Sequence, residues 1–190
     1  MNYKELKEYA DKYNRKEIII NEHDIEPLYD ISLVEGKRLS KIYNADIDIV
    51  LIALALMDSK LPEAVRLKKP KEHVEMSLKA AKQILDEVYD LDDEKRKNIL
   101  KCIEEHHGSS KYYSIESEVV ANADCCKFLS PKGIMTYASI LARRLNDFEK
   151  EWEKLEFKMD EKIKYVSLEK EELMPIYDNF KKYLNSCRKK

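Results

Sequence analysis

The most constraining feature of the sequence is a run of nine consecutive apolar residues, 49–57, which ends at Asp58. Asn44, Ala45 and Asp46 precede the run and supply a turn and a helix cap, so the pattern predicts a helix over residues 47–57. Such a helix is apolar on every side, and we therefore expect it at the centre of the core. It is too short to cross a bilayer.

The composition favours more helices around this central one. The chain of 190 residues has only three glycines and five prolines, whereas sheets with tight hairpins need many turn residues. No segment shows the sustained alternation of apolar and polar residues that is typical of a strand. We predict an all-α protein that forms a single domain.

Apolar residues recur at helical spacing along the rest of the chain. Residues 18–30 predict a loop and the start of a helix, 62–71 predict a connection, and 130–133 predict a break. The other predicted helices cover residues 3–13, 31–43, about 70–89, 93–107, 115–129, 134–156 and 168–186.

Charge and cysteine content restrict the partners and the compartment. Charged residues make up 38% of the chain but nearly cancel, at a net charge of −2, so there is no strong nucleic-acid signal and no attraction to an anionic membrane. The N-terminus lacks an apolar signal core. The four cysteines contain no C-x-x-C pair, which favours reduced thiols and a cytoplasmic protein.

Two acids stand where a helical core should be apolar. Asp58 lies at the C-terminal end of the central helix, whose partial negative charge disfavours a carboxylate unless a cation compensates it. Asp124 lies one helical turn from Val120 and from Phe128, in line with an inward face. An inward acid needs an ion pair or a metal. The alternatives are that Asp58 begins an exposed loop and that Asp124 pairs with a lysine.

Three of the four histidines fall on inward or border positions of predicted helices. His73 lies at the edge of the apolar face of the helix near 70–89, and His106 and His107 end the helix over 93–107. Helical periodicity does not choose between His106 and His107. Imidazole together with carboxylate suits Mn, Fe, Ni or Zn, and Mg is possible but less natural. A helix-edge histidine without a ligand role is the alternative.

Other catalytic motifs are absent or weak. The sequence has no Gly-rich phosphate loop, no H-E-x-x-H and no G-x-S-x-G. Lys60 and Lys69 could contact a phosphate, although a solvated charged face is the alternative for the basic residues near 66–71.

The order of these residues resembles the HD superfamily of metal-dependent phosphohydrolases. In chain order, the matching blocks are the apolar helix that ends at Asp58, then K-E-H-V-E-M-S, I-E-E-H-H-G and E-S-E-V-V-A-N-A-D-C-C-K-F-L, within about residues 28–145. The resemblance implies an HD-domain-like helical bundle, with residues 146–190 as a C-terminal helical extension.

The resemblance also implies a ligand set for a divalent metal. The HD signature is a histidine, an adjacent His-Asp pair and a distal Asp, and members with two metals add two histidines. Asp58 matches the Asp of the pair, His73 and His106 (or His107) match the added histidines, and Asp124 matches the distal Asp.

This sequence departs from the signature at two positions. Met57 stands where the histidine of the pair is expected, and Leu28 stands where the preceding histidine is expected. His23 lies five residues away and could replace it only if the loop bends back. The resemblance thus implies half of a two-metal centre, with Asp58 as a ligand of the half that remains.

From the resemblance we expect a hydrolase that acts on a nucleotide or another small phosphoester. Asp58, Asp124 and Glu105 are the expected catalytic residues, and Lys60 and Lys69 are the expected phosphate contacts. The alternative is a catalytically inactive HD-like scaffold that binds a nucleotide or a protein partner. A purely structural helical protein and a homodimer remain open.

Overall fold

The computed structural model describes residues 1–188, which fold into ten α-helices and contain no strand. The predicted all-α class is confirmed. Short 3₁₀ turns lie at Pro70–Glu72 and Ile163–Tyr165. The helices are α1 (Tyr3–Ile20), α2 (Glu26–Tyr43), α3 (Ile47–Met57), α4 (Leu61–Arg66), α5 (His73–Asp86), α6 (Asp93–Glu105), α7 (Ile115–Leu129), α8 (Pro131–Leu145), α9 (Phe148–Lys162) and α10 (Lys170–Arg188).

Helix α3 is the centre of the core, as predicted. All nine residues of 49–57 are buried, and α3 packs against α1, α2, α5, α6 and α7. The carboxylate of Asp46 caps its first turn, because Oδ1 accepts the backbone N–H groups of Asp48 and Ile49. This cap fixes the N-terminal end of the helix, and Asp58 follows its C-terminal end at a buried position.

Several predicted boundaries are wrong. Helix α1 continues past residue 13 to Ile20, and α4 forms in the segment that was expected to be a connection, with Pro62 in its first turn. The single helix expected over 134–156 is two helices. Asn146 ends α8 in the left-handed conformation, at φ 47°, and the Asp147 carboxylate caps α9. Apolar periodicity continues across this junction, so it does not reveal the stop signal.

Helices near both ends of the described range 1–188 are part of the core. Leu6 and Ala10 of α1 are fully buried in the cluster around α3. A second apolar cluster joins α7 to the C-terminal helices, with Cys125 of α7 packed together with Leu155 and Met159 of α9. The segment outside 28–145 is therefore in direct contact with the helix that carries Asp124.

Within residues 1–188, no helix combines the length and the apolarity that are needed to cross a bilayer. The four cysteines are free thiols. Cys102, Cys125 and Cys126 are buried, and Cys187 is exposed.

Candidate metal centre

Four side chains that the sequence singled out converge at one point. Asp58, His73, His106 and His107 each offer a ligand atom, and these atoms all lie within 4.8 Å of one another. Asp58 follows α3, His73 begins α5, and the two adjacent histidines follow α6. Two helix C-termini with partial negative charge and one helix N-terminus with partial positive charge therefore meet at the cluster, so the helix ends on balance favour a cation. The cluster could hold a metal ion.

Backbone carbonyls determine which ring nitrogen faces the cluster. Nδ1 of His73 lies 2.6 Å from the Pro70 carbonyl oxygen, and Nδ1 of His106 lies 2.7 Å from that of Ile103. A carbonyl oxygen only accepts hydrogen bonds, so each Nδ1 carries a hydrogen and donates it. In the neutral imidazole the lone pair is then on Nε2, which is the atom that faces Asp58. Such a backbone anchor is a common way to orient a metal-binding histidine.

The distances at Asp58 match those between atoms bound to the same ion. Nε2 of His73 and Nε2 of His106 lie 3.4 and 3.5 Å from Oδ1 of Asp58. A charge-assisted hydrogen bond is shorter, at about 2.7–2.9 Å. Two ligands that are each about 2.1 Å from an ion, at a tetrahedral angle, lie about 3.4 Å apart.

Two of these atoms have no other partner. Oδ1 of Asp58 and Nε2 of His106 are buried and lack a hydrogen bond within the described part of the chain. A buried polar atom without a partner is costly, and it indicates an unfilled role such as ion binding. The donor set and its spacing therefore fit a divalent metal.

The structure distinguishes the two adjacent histidines. His106 is completely buried and its ring is anchored to the backbone, whereas His107 is more exposed. The ring centroid of His107 lies 4.1 Å from that of His106 and 5.1 Å from that of His73. Burial lowers the pKa of His107 to about 3, and the nearby Lys162 ammonium acts in the same direction. Its neutral ring is thus available as a further ligand.

Asp124 is held by two lysines and lies outside the group of four. Oδ1 accepts from Nζ of Lys127 at 2.7 Å, and Oδ2 accepts from Nζ of Lys162. Burial alone would raise the pKa of Asp124, but the two ammonium groups hold it well below its usual value. Both oxygens of Asp124 already accept hydrogen bonds from lysines. Asp124 therefore has the lysine pairing that the sequence analysis gave as the alternative to metal binding.

Lys127 connects the two buried acids. Its Nζ lies 2.7 Å from Oδ2 of Asp58 as well as 2.7 Å from Oδ1 of Asp124. Burial disfavours the charged form of Asp58, but the Lys127 ammonium outweighs it and holds the pKa of Asp58 well below its usual value.

Lys127 and Lys162 were not expected from the sequence. The spacing of three residues between Asp124 and Lys127 was a usable signal, because it places both side chains on one face of a helix. Lys162 had no local signal, because it lies on α9 and reaches Asp124 only through the tertiary fold.

Three other expected site residues lie away from the cluster. Oε2 of Glu105 accepts a hydrogen bond from the backbone N–H of Tyr113 at 2.9 Å. Lys60 pairs with two glutamates at 3.0 and 3.1 Å, and Lys69 pairs with one glutamate on the exposed surface. None of these three lines the pocket that adjoins the cluster. The structure does not bring them to the candidate metal position.

A pocket of about 210 Å³ opens beside the cluster and is rich in basic side chains. Lys127, Lys158 and Lys162 place their Nζ atoms 5.1–5.7 Å from the ring centroid of Phe128, which also lines the pocket. Arg144 lines the pocket as well. Lys158 and Lys162 belong to α9, so the C-terminal helices supply part of this wall.

The residues that bear on the departures from the HD signature line cavities next to Asp58, namely Leu28, Met57 and His23. The loop after α1 brings His23 to the pocket, where its ring contacts Nη2 of Arg144 at 3.3–3.4 Å, outside the group of four. Leu28 and Met57 line a small cavity of about 40 Å³ beside Asp58. That side of Asp58 is therefore mainly apolar.

Gly108 ends the H-H-G segment in a conformation that requires glycine. Its φ is 105°, and the ring of Tyr165 occupies the position that a Cβ atom would take. The turn after α6 is thus locked against the C-terminal segment, which restrains the two histidines that precede it.

No family model matches the chain, and no curated protein and no solved structure matches it at a significant level. Membership of the HD superfamily therefore rests on the sequence blocks and stays a prediction.

Proposed function

We propose that this protein is a metal-dependent phosphohydrolase of the HD type, with one divalent ion on Asp58, His73 and His106. The observation that supports the proposal is the spacing of 3.4–3.5 Å between Oδ1 of Asp58 and the two Nε2 atoms. When both imidazoles are neutral, lone pairs at that spacing repel one another unless a cation lies between them. The sequence blocks that resemble HD proteins contain the same three residues.

The ligand set suits hydrolytic chemistry. Two imidazoles and one carboxylate favour Mn, Fe, Ni or Zn over Mg. Such an ion, when bound, would lower the pKa of a water molecule and polarise a phosphoryl oxygen. Three protein ligands leave coordination positions open for water and substrate, and neutral His107 lies beside them.

The charge of the pocket supports an anionic substrate. Four side chains in its wall are lysine or arginine (Lys127, Arg144, Lys158 and Lys162), and only two are carboxylates. Lys158 is partly exposed and pairs with a single glutamate, so it can approach a phosphate. The volume of about 210 Å³ suits the phosphoryl group of a substrate such as a nucleotide, together with part of the leaving group.

The alternative is a catalytically inactive scaffold that binds a nucleotide. The lysine pairing of Asp124 favours it, because two lysines already neutralise the two buried acids without a metal. Under this alternative a nucleotide binds in the pocket, and no metal is needed.

Metal analysis combined with an activity screen tests the proposal. The purified protein, loaded with Mn, Fe, Ni or Zn, is assayed for bound metal and for hydrolysis of a panel of nucleotides and other phosphoesters. We expect about one ion per chain and metal-dependent turnover in the wild type, and the loss of both in His106→Asn. His23→Asn is the matched control for metal content, because His23 lies outside the group of four. A wild type with neither metal nor turnover contradicts the proposal, and nucleotide binding without metal supports the scaffold.

A further inference from the structure

We infer that the ammonium group of Lys127 is a built-in second cation, so that this site binds one divalent ion and excludes another. The inference rests on the proposed metal site and adds to it a residue that sets the number of ions. It is carried by the contacts of Lys127 with two buried carboxylates.

Asp58 bridges two cation positions. Its Oδ1 faces Nε2 of His73 and of His106, while its Oδ2 accepts from Nζ of Lys127 at 2.7 Å. The same Nζ lies 2.7 Å from Oδ1 of Asp124. A carboxylate that bridges two metal ions uses its oxygens in the same way, with one oxygen for each cation. Lys127 thus stands where the second ion of such a pair would bind.

On one side, Lys127 faces a small cavity that offers few ligands for a metal ion. The small cavity next to Lys127 is lined on several sides by apolar side chains, including Leu28, Met57 and Phe128. Among its described lining residues, Asp58 is the only carboxylate, and there is no imidazole. A single ammonium group needs fewer partners than a divalent ion, and the two carboxylates supply them.

The charges lead to the same conclusion. Asp58 and Asp124 carry −2, and Lys127 and Lys162, which contact them, carry +2. One divalent ion brings this buried group to +2. A second ion beside a retained Lys127 would bring it to +4, and burial makes that repulsion strong. Removal of the Lys127 charge frees two carboxylate oxygens for a second ion.

Manganese stoichiometry and electron paramagnetic resonance (EPR) test the inference in the full-length protein. We expect the wild type to bind one Mn²⁺ with the spectrum of an isolated ion. The Lys127→Met variant keeps a similar side-chain length without the charge. We expect it to bind two Mn²⁺ ions, with loss of the isolated-ion signal through magnetic coupling.

Two controls separate charge from general disturbance. Lys158→Met removes a lysine from the same pocket that is not paired with either acid, and it should leave the stoichiometry at one. The double variant Lys127→Met, Asp124→Asn removes the ammonium together with one of its carboxylates, and it should also bind one ion.

Two ions in the wild type, or one ion in a folded Lys127→Met variant, overturn the inference and leave the proposed function standing. A wild type that binds no metal removes the proposed function, and the inference falls with it. If Lys127→Met does not fold, the wild-type titration decides. Saturation at one uncoupled ion supports the inference, and a coupled pair overturns it.

Discussion

Nε2 of His106 and Oδ1 of Asp58 lie 3.5 Å apart at the ends of two helices, and both atoms are buried. Neither has a hydrogen-bond partner in residues 1–188. Because the Ile103 carbonyl holds the hydrogen of His106 on Nδ1, two electron-rich atoms face each other when the ring is neutral. A shared cation would remove this conflict.

We therefore expect His106 to contribute more to metal affinity than His107. His106→Asn should weaken Mn²⁺ binding by about a hundredfold or more, since even the loss of a group that only orients a ligand costs about 10–100-fold. His107→Asn should have a smaller effect, because His107 is more exposed and has no such backbone anchor. Isothermal titration calorimetry of both variants measures the difference. Equal losses, or a larger loss in His107→Asn, would contradict this assignment.

Asp58 and Asp124 should make the metal-free protein sensitive to acid. The pKa of each lies well below that of an aspartate in the unfolded chain, about 3.9. Their contribution is therefore complete above about pH 5 and is lost as the pH falls toward the folded pKa. In that range the unfolded chain binds more protons, so the free energy of unfolding decreases by up to about 1.4 kcal/mol per pH unit for each carboxyl.

The Asp124→Asn variant tests this dependence. Urea unfolding between pH 5 and 2.5 should give a shallower decline than in the wild type, by up to about 1.4 kcal/mol per pH unit. Asp93→Asn, at an exposed position in the first turn of α6, is the control and should follow the wild-type slope. A decline in Asp124→Asn that parallels the wild type would show that Asp124 is not responsible.

Lys162 should hold the C-terminal helices against the site. Lys162 is buried. Without it, Lys127 alone would pair with both Asp124 and Asp58. We expect Lys162→Met to lower the free energy of unfolding by about 3 kcal/mol, the lower end for a broken buried ion pair. Lys158→Met, one turn earlier and partly exposed, should cost less than about 1 kcal/mol. Chemical denaturation measures both, and similar costs would refute the role of Lys162.

Gly108 should couple the histidine turn to Tyr165. Gly108→Ala forces a side chain into a backbone at φ 105° and into the space of the Tyr165 ring, so we expect a loss of about 1–3 kcal/mol. Tyr165→Ala in the same chain should recover the steric part but not the backbone part. A double-mutant cycle measures the recovery. Strict additivity of the two substitutions would mean that the ring does not restrict this turn.

The sequence by itself predicted the features that depend on local pattern. The run over 49–57 determined a central helix, because nine buried apolar side chains leave it no polar face. Asp58 had to emerge at the end of that helix. The boundaries of α3 and α7 match their predicted ranges, since polar or capping residues mark both ends.

Local pattern was insufficient where two signals compete. Around Asn146 and Asp147, helical periodicity continues while the chain stops one helix and caps the next. Local pattern also does not choose between His106 and His107. Both residues fall near the inward stripe, and only the hydrogen bond to the Ile103 carbonyl and the approach to Asp58 separate them.

The tertiary structure alone decided which partners the buried acids have. Asp58 and Asp124 were recognisable as inward acids, but Lys127 and Lys162 become their partners only when α3, α7 and α9 pack together. A buried carboxylate requires a cation, and the sequence states that requirement. Whether an ammonium group or a metal ion meets it depends on distances between helices that are far apart in the chain.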